Sequence, residues 1–126
     1  MAISTVNVAS PSSEKVYTST AMGNTIEGIK ASSALVYSVI IDNTLNAAAT
    51  YVKLYNVASG SVTVGTTVPD EVIYVPASVI VTHILYTGAA PGKTFGTALS
   101  AAAVTAGGTA GVTSPSSAAA VTVTYV

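Results

Sequence analysis

Short runs of Val, Ile, Thr and Tyr recur along this chain, cut at regular intervals by Gly, Pro, Asn or Ser, with no long stretch of helical periodicity between them. β-Branched and aromatic side chains suit a pleated surface, and the punctuating residues suit turns. The pattern confines the fold to an all-β sandwich or barrel. In "LVYSVIIDN", strict alternation puts Leu35, Tyr37, Val39 and Ile41 on one face and Val36, Ser38, Ile40 and Asp42 on the other. Both faces are largely apolar, which predicts a central strand of a sandwich, closed by a turn at Asp42-Asn43-Thr44.

The same reading predicts strands in "KVYTSTA" and "NTIEGIK" around Gly23-Asn24, and in "TYVKLYN", "SVTVG", "EVIYV", "SVIVTHILY" and "AAVTVTYV". Pro69 and Pro76 bracket "DEVIYV" and mark its ends, since Pro donates no ladder hydrogen bond. Residues 96–120 are small, uncharged and low in complexity. They read as a strand and then an Ala/Gly/Thr hairpin loop around Gly107-Gly108; a helix over "TFGTALSAAAV" is the alternative. The organisation expected is an N-terminal arm, 1–14, with room for one strand in "ISTVNV", followed by a β-sandwich domain, 15–126.

Charge is scarce. Asp, Glu, Lys and Arg make up 7% of the 126 residues, against roughly 25% in an ordinary soluble domain. Lys15, Lys30, Lys53 and Lys93 face Glu14, Glu27, Asp42, Asp70 and Glu71, for a formal net charge of −1. Mean hydropathy is +0.63, yet no run reaches the roughly 18 apolar residues of a membrane helix. Residues 1–15 carry no positive charge before Lys15 and no compact apolar run, so they do not read as a secretory signal. No Cys is present, which excludes disulfides and thiolate metal sites. A nearly neutral surface of Ser, Thr, Ala and Gly favours association, so much of it is expected to be covered by neighbours.

Candidate chemistry is sparse. "GAAPGKT", residues 88–94, resembles a phosphate-binding loop but is one residue short, and Thr87 stands where the first Gly belongs. "VIID" at 39–42 lies upstream of it, and no Arg can stabilise a transition state. The segment reads instead as a turn with Pro91-Gly92 at its corner. His83, the sole histidine, shares its alternation with Val79, Val81 and Leu85, has no ligand partners nearby in sequence, and reads as a satisfied or interface side chain. Asp70 and Glu71 point to opposite faces of a strand and cannot act as a carboxylate pair. No enzyme activity, cofactor or metal is expected. In "TYVKLYN", Val52 and Leu54 face the core, while Tyr51, Lys53 and Tyr55 point away as an interface stripe or an incidental surface. With Tyr74, the tyrosines also suit a glycan contact. Nucleic-acid binding would lack its electrostatic drive. Ile3, Val6 and Val8 of the arm complete the candidate interface.

"YSVIIDNTLNAAATYVKLYN", "TVGTTVPDEVIYVPAS", "FGTALSAAAVTAGGTAG" and "AVTVTYV" together resemble small β-sandwich structural proteins of tailed bacteriophages, the decoration or cement proteins of capsids, over residues 35–126. The resemblance implies a jelly-roll-like antiparallel sandwich, usually trimeric. It also implies a place on the virion surface, assembly in the host cytoplasm, and the major capsid protein as partner. Tail, baseplate and fibre modules share the texture. Neither nucleic acid nor membrane is an expected partner.

Overall fold

A computed structural model describes residues 14–126. Within them the strands are β1 (Lys15–Met22), β2 (Glu27–Lys30), β3 (Ala34–Asp42), β4 (Thr50–Tyr55), β5 (Glu71–Val75), β6 (Ile80–Ile84), β7 (Tyr86–Thr87), β8 (Ala90–Pro91), β9 (Lys93–Phe95), β10 (Leu99–Val104) and β11 (Ala119–Tyr125). The one helical turn is 3-10, Ser59–Ser61. Ile3, Val6 and Val8 lie outside the described residues, as does nearly all of the expected arm.

Two antiparallel sheets face each other, as an all-β sandwich requires. One has the order β1-β11-β3-β6, with β9 also on β3; the other is β2-β10-β4-β5. The pairing is nested: β1 with β11, β2 with β10, β3 with β6, and β4 with β5. The chain therefore crosses between the sheets from β1 to β2, β2 to β3, β3 to β4, β5 to β6, β9 to β10 and β10 to β11, whereas the long 56–70 segment joins β4 to β5 within one sheet. "KVYTSTA" and "NTIEGIK" are strands as expected, but of different sheets. The Gly107-Gly108 segment is likewise a crossover from β10 to β11 rather than a hairpin.

The core is aliphatic apart from Met22, Phe95 and Tyr125: Val36, Val39 and Ile41 of β3 and Val121 and Val123 of β11 meet Val52, Leu54, Ile73, Leu99 and Ala103 from the other sheet. β3 is central, as its two apolar faces predict, but its faces differ from simple alternation. Tyr125 pairs with Val36 and Thr124 with Ser38, so Tyr37 is an extra residue. Ala34 and Val36 point inward before the bulge, and Val39 and Ile41 after it. An inserted residue shifts the two-residue period by one, so Leu35 and Tyr37 leave the face they were expected to share with Val39.

β10 is a strand, as preferred over the helix, and every residue of it is buried. "SVTVG" is not a strand. Thr66 N and Thr67 N both donate to Thr63 O, and Gly65 sits at φ 97°, which reverses the chain before any ladder forms. In "GAAPGKT" the sharp corner is Gly88, at φ 59°, between β7 and β8, and Gly92, at φ 89°, makes a second bend into β9. At Gly92 a Cβ would stand 2.8 Å from Leu35 Cδ1, so glycine is needed for both its backbone and its contact.

A buried amide knot closes one end of the sandwich. Asn43 Nδ2 donates to Ala48 O (3.1 Å) and Pro76 O (2.9 Å), and its Oδ1 accepts from Asn46 Nδ2 (2.8 Å) and Thr50 Oγ1 (2.7 Å). Asn46 Oδ1 accepts from Ser117 N (2.8 Å), and its Nδ2 donates to Ser117 O (2.7 Å). Two side chains thereby satisfy three separate loops, the condition under which polar groups can be buried.

Candidate functional site

The Tyr51-Lys53-Tyr55 stripe lies on the outer side of its sheet, opposite Val52 and Leu54, as alternation predicts. It is not an open surface. Lys53 and Tyr55 are both 0% exposed, and Tyr51 is half-buried. Residues 105–113 fold over them: Lys53 Nζ donates to Gly108 O (2.7 Å) and Gly111 O (3.1 Å). A Cβ at Gly107 would come within 2.7 Å of Tyr51 Cε1. The segment after β4 joins this roof, with Ser100 Oγ donating to Val57 O (2.7 Å). β10 admits so close a cover because its outward residues Ser100 and Ala102 are small. Burial holds the Lys53 ammonium below the usual lysine range and pushes the Tyr55 hydroxyl up. The Tyr55 hydroxyl has no hydrogen-bond partner among the described residues. Of the tyrosines suited to a glycan platform, Tyr74 remains accessible, its ring tilted 51° against that of Tyr51 with centroids 5.3 Å apart.

Two clusters of ionisable groups sit at the lateral edges of the sandwich. At one edge Glu27 of β2 accepts from Tyr17 (2.7 Å) and Ser19 (2.9 Å) of β1. The hydrogen bond that the Tyr17 hydroxyl donates to Glu27, with desolvation second, pushes the phenol up to about 12. At the other edge Glu71 of β5 pairs with Lys93 of β9 at 2.8 Å, and His83 Nε2 of β6 lies 3.8 Å from its other oxygen. Each glutamate bridges the two sheets. Lys93 also donates to Asp70 O (2.7 Å), so the lysine of the loop-like motif is engaged with its own chain. Asp70 turns the other way and accepts from Asn56 N (2.7 Å), as the divergence of adjacent strand residues predicts. Sequence spacing hid the Glu71–His83 contact because twelve residues and a change of sheet separate the pair.

What remains open is the outer face of the five-stranded sheet. Residues paired directly across strands share a face. Val16, Thr124, Ser38 and Ile84 form one row across β1, β11, β3 and β6. Thr18, Thr122, Ile40 and Thr82 form the next, and Ala120, Asp42 and Ile80 a third. Ile40 lies diagonally from both Ile80 and Ile84, which flank its partner Thr82 on β6 and are 58% and 49% exposed. Asp42 is the only ionisable side chain in these rows. Thr44 turns back onto it through Oγ1 (2.5 Å) and N (2.9 Å), which holds the carboxyl below its ordinary range. The sequence carried a signal for this face in the alternating Thr of "AVTVTYV" and in Ile40 and Ile80, but only the pairing brings them together.

Among the described residues no three of His, Asp and Glu come together as a metal site, and no helix is long and apolar enough to cross a membrane. Compared with known proteins, the chain matches no family model, no curated protein and no solved structure.

Proposed function

We propose that this chain is a structural protein that acts by surface contact, as a decoration or cement protein of a tailed-phage capsid. The observation that carries the reading is the open, hydroxyl- and aliphatic-lined face of the five-stranded sheet, next to a second sheet whose outer face the chain itself roofs over β4 and β10. A face without paired charge gives little orientation by Coulomb forces and gains by excluding water over area. Repetition on a symmetric shell multiplies each modest contact. The nested strand order supports the jelly-roll winding implied by the resemblance. The major capsid protein is the proposed partner, with residues 1–14 adding a strand to a neighbour's sheet.

Imaging of purified particles with a label on this chain tests the reading. Regular label over the shell supports it, and label confined to a tail or fibre reassigns the location. Absence from particles altogether overturns it. Removing residues 1–14 is expected to lower occupancy while leaving the sandwich folded; full occupancy after the deletion refutes the arm.

A further inference from the structure

We infer that the cleft between β1 and β2 is a binding site for an alkylammonium group, with Glu27 as its charge partner. The inference goes beyond the contact role proposed above and does not depend on it.

The cleft holds about 520 Å³, within the roughly 300–1,000 Å³ of small-molecule sites. Residues 18–21 of β1, the turn at 23–25, Glu27 of β2 and Ser114 line it. Its walls are fixed in advance. Asn24 N donates to Ser114 Oγ (2.8 Å) and Asn24 Nδ2 to Val112 O (2.9 Å), which ties the β1–β2 turn to the crossover that follows β10. Ala103 N donates to Gly23 O (2.8 Å), and a Cβ at Gly23 would stand 2.9 Å from Ser114 Oγ, so glycine lets the two segments close. A site already held by its own bonds loses little freedom when a ligand enters.

What those bonds leave over selects the ligand. The Tyr17 and Ser19 hydroxyls donate to the two oxygens of Glu27 at 2.7 and 2.9 Å, and both nitrogens of Asn24 are engaged. The fixed donors are thus spent, while acceptors remain. Each Glu27 oxygen can accept again, Asn24 Oδ1 accepts nothing among the described residues, and the exposed hydroxyls of Thr18, Thr20 and Thr25 can turn to accept. Glu27 is also half-buried without a cation, since both ion pairs of the described residues are made by Glu71 at the opposite edge. Partial burial strengthens its pull on a positive charge. An ammonium carries three donors and no acceptor, so it matches the site in sign and in hydrogen bonding. The cleft is larger than an ammonium head, and its hydroxyl lining admits either a lysine stem or the ring of an amino sugar.

Titration of the isotope-labelled full chain with glucosamine and with Nα-acetyl-lysine amide, read from amide chemical shifts in NMR spectra, tests this; glucose is the neutral control. The expected result is saturable shifts at Gly23, Asn24 and Thr25 with both amines, and binding of glucose weaker by about tenfold or more. Tighter binding of glucosamine names a free hydroxylated amine as the source, and tighter binding of the lysine compound names a protein side chain. Glu27→Gln, which keeps an acceptor for the clasp, should weaken both amines by about tenfold. Glu71→Gln, which changes the net charge equally, should weaken neither. If Glu27→Gln fails to fold by circular dichroism, Thr25→Lys, which sets a competing ammonium at the rim from an exposed turn, should weaken the amines likewise. Absence of shifts at these residues overturns the inference, as does equal binding of glucose or amine binding indifferent to the Glu27 and Thr25 variants.

Discussion

Asn43→Asp replaces one atom in the buried knot and keeps its shape. Asn43 is fully buried, and its amide nitrogen donates to Ala48 O and Pro76 O, with Val75 O a third carbonyl at 3.5 Å. In the variant an oxygen faces those carbonyls, so two donated bonds are lost and a charge is left buried without a counter-ion. Such a change costs about 3–5 kcal/mol, out of the roughly 5–15 kcal/mol that holds a domain of this size. The corresponding fall in Tm is roughly 10–20 °C. The sign of its pH dependence is also determined. Desolvation and the facing carbonyls raise the new carboxyl's pKa in the folded state, so the folded chain holds the proton that the unfolded chain releases near pH 4. The deficit against wild type is thus full at pH 7 and narrows as pH falls through the raised value toward about 4. Urea unfolding followed by circular dichroism at pH 7 and pH 5 measures both. A deficit under about 1 kcal/mol at pH 7, or one that does not shrink on acidification, would refute the account of the knot.

Tyr55→Phe removes a buried hydroxyl without a partner and is expected to stabilise the chain by about 1 kcal/mol, seen as a higher midpoint in the same unfolding experiment. Gly107→Ala pushes a methyl into the Tyr51 ring, with an expected cost of about 1–3 kcal/mol; the aromatic NMR signals of Tyr51 and its neighbour Tyr74 should move with it. Tyr17, at about 12 in the folded chain against an ordinary value of 10.0, keeps its proton where the unfolded chain loses it. Its contribution to stability is therefore complete below pH 10 and lost as pH rises through about 12, so Tyr17→Phe should flatten that part of the alkaline unfolding profile. Lys93→Ala at the half-buried, edge-lying Glu71 pair should cost no more than about 1 kcal/mol, and a larger loss on thermal unfolding would mean that the edge clasp does more than align the sheets.

Much of the architecture is legible in single segments because a strand's requirements are local: β-branched side chains, a two-residue period, and Pro or Gly at the ends. β3, β4, β5, β6 and β11 follow from that alone, and even the Ala-rich β10 yields to the Thr and Val around it. "SVTVG" misleads because its alternation is genuine while its backbone bonds are spent on a local turn. The Tyr37 bulge shifts the faces of β3 without leaving a mark in composition.

Sequence by itself determined the class of fold and the poverty of charge, since both are sums over residues that need no knowledge of neighbours. Exposure was decided only by tertiary structure. Alternation tells which side of its own sheet a side chain takes, but not whether another segment crosses that side. Thus Lys53 and Tyr55 ended beneath their own loop, while Ile40, Ile80 and the threonines of β11, brought together by pairing across the sheet, became the surface that faces outward.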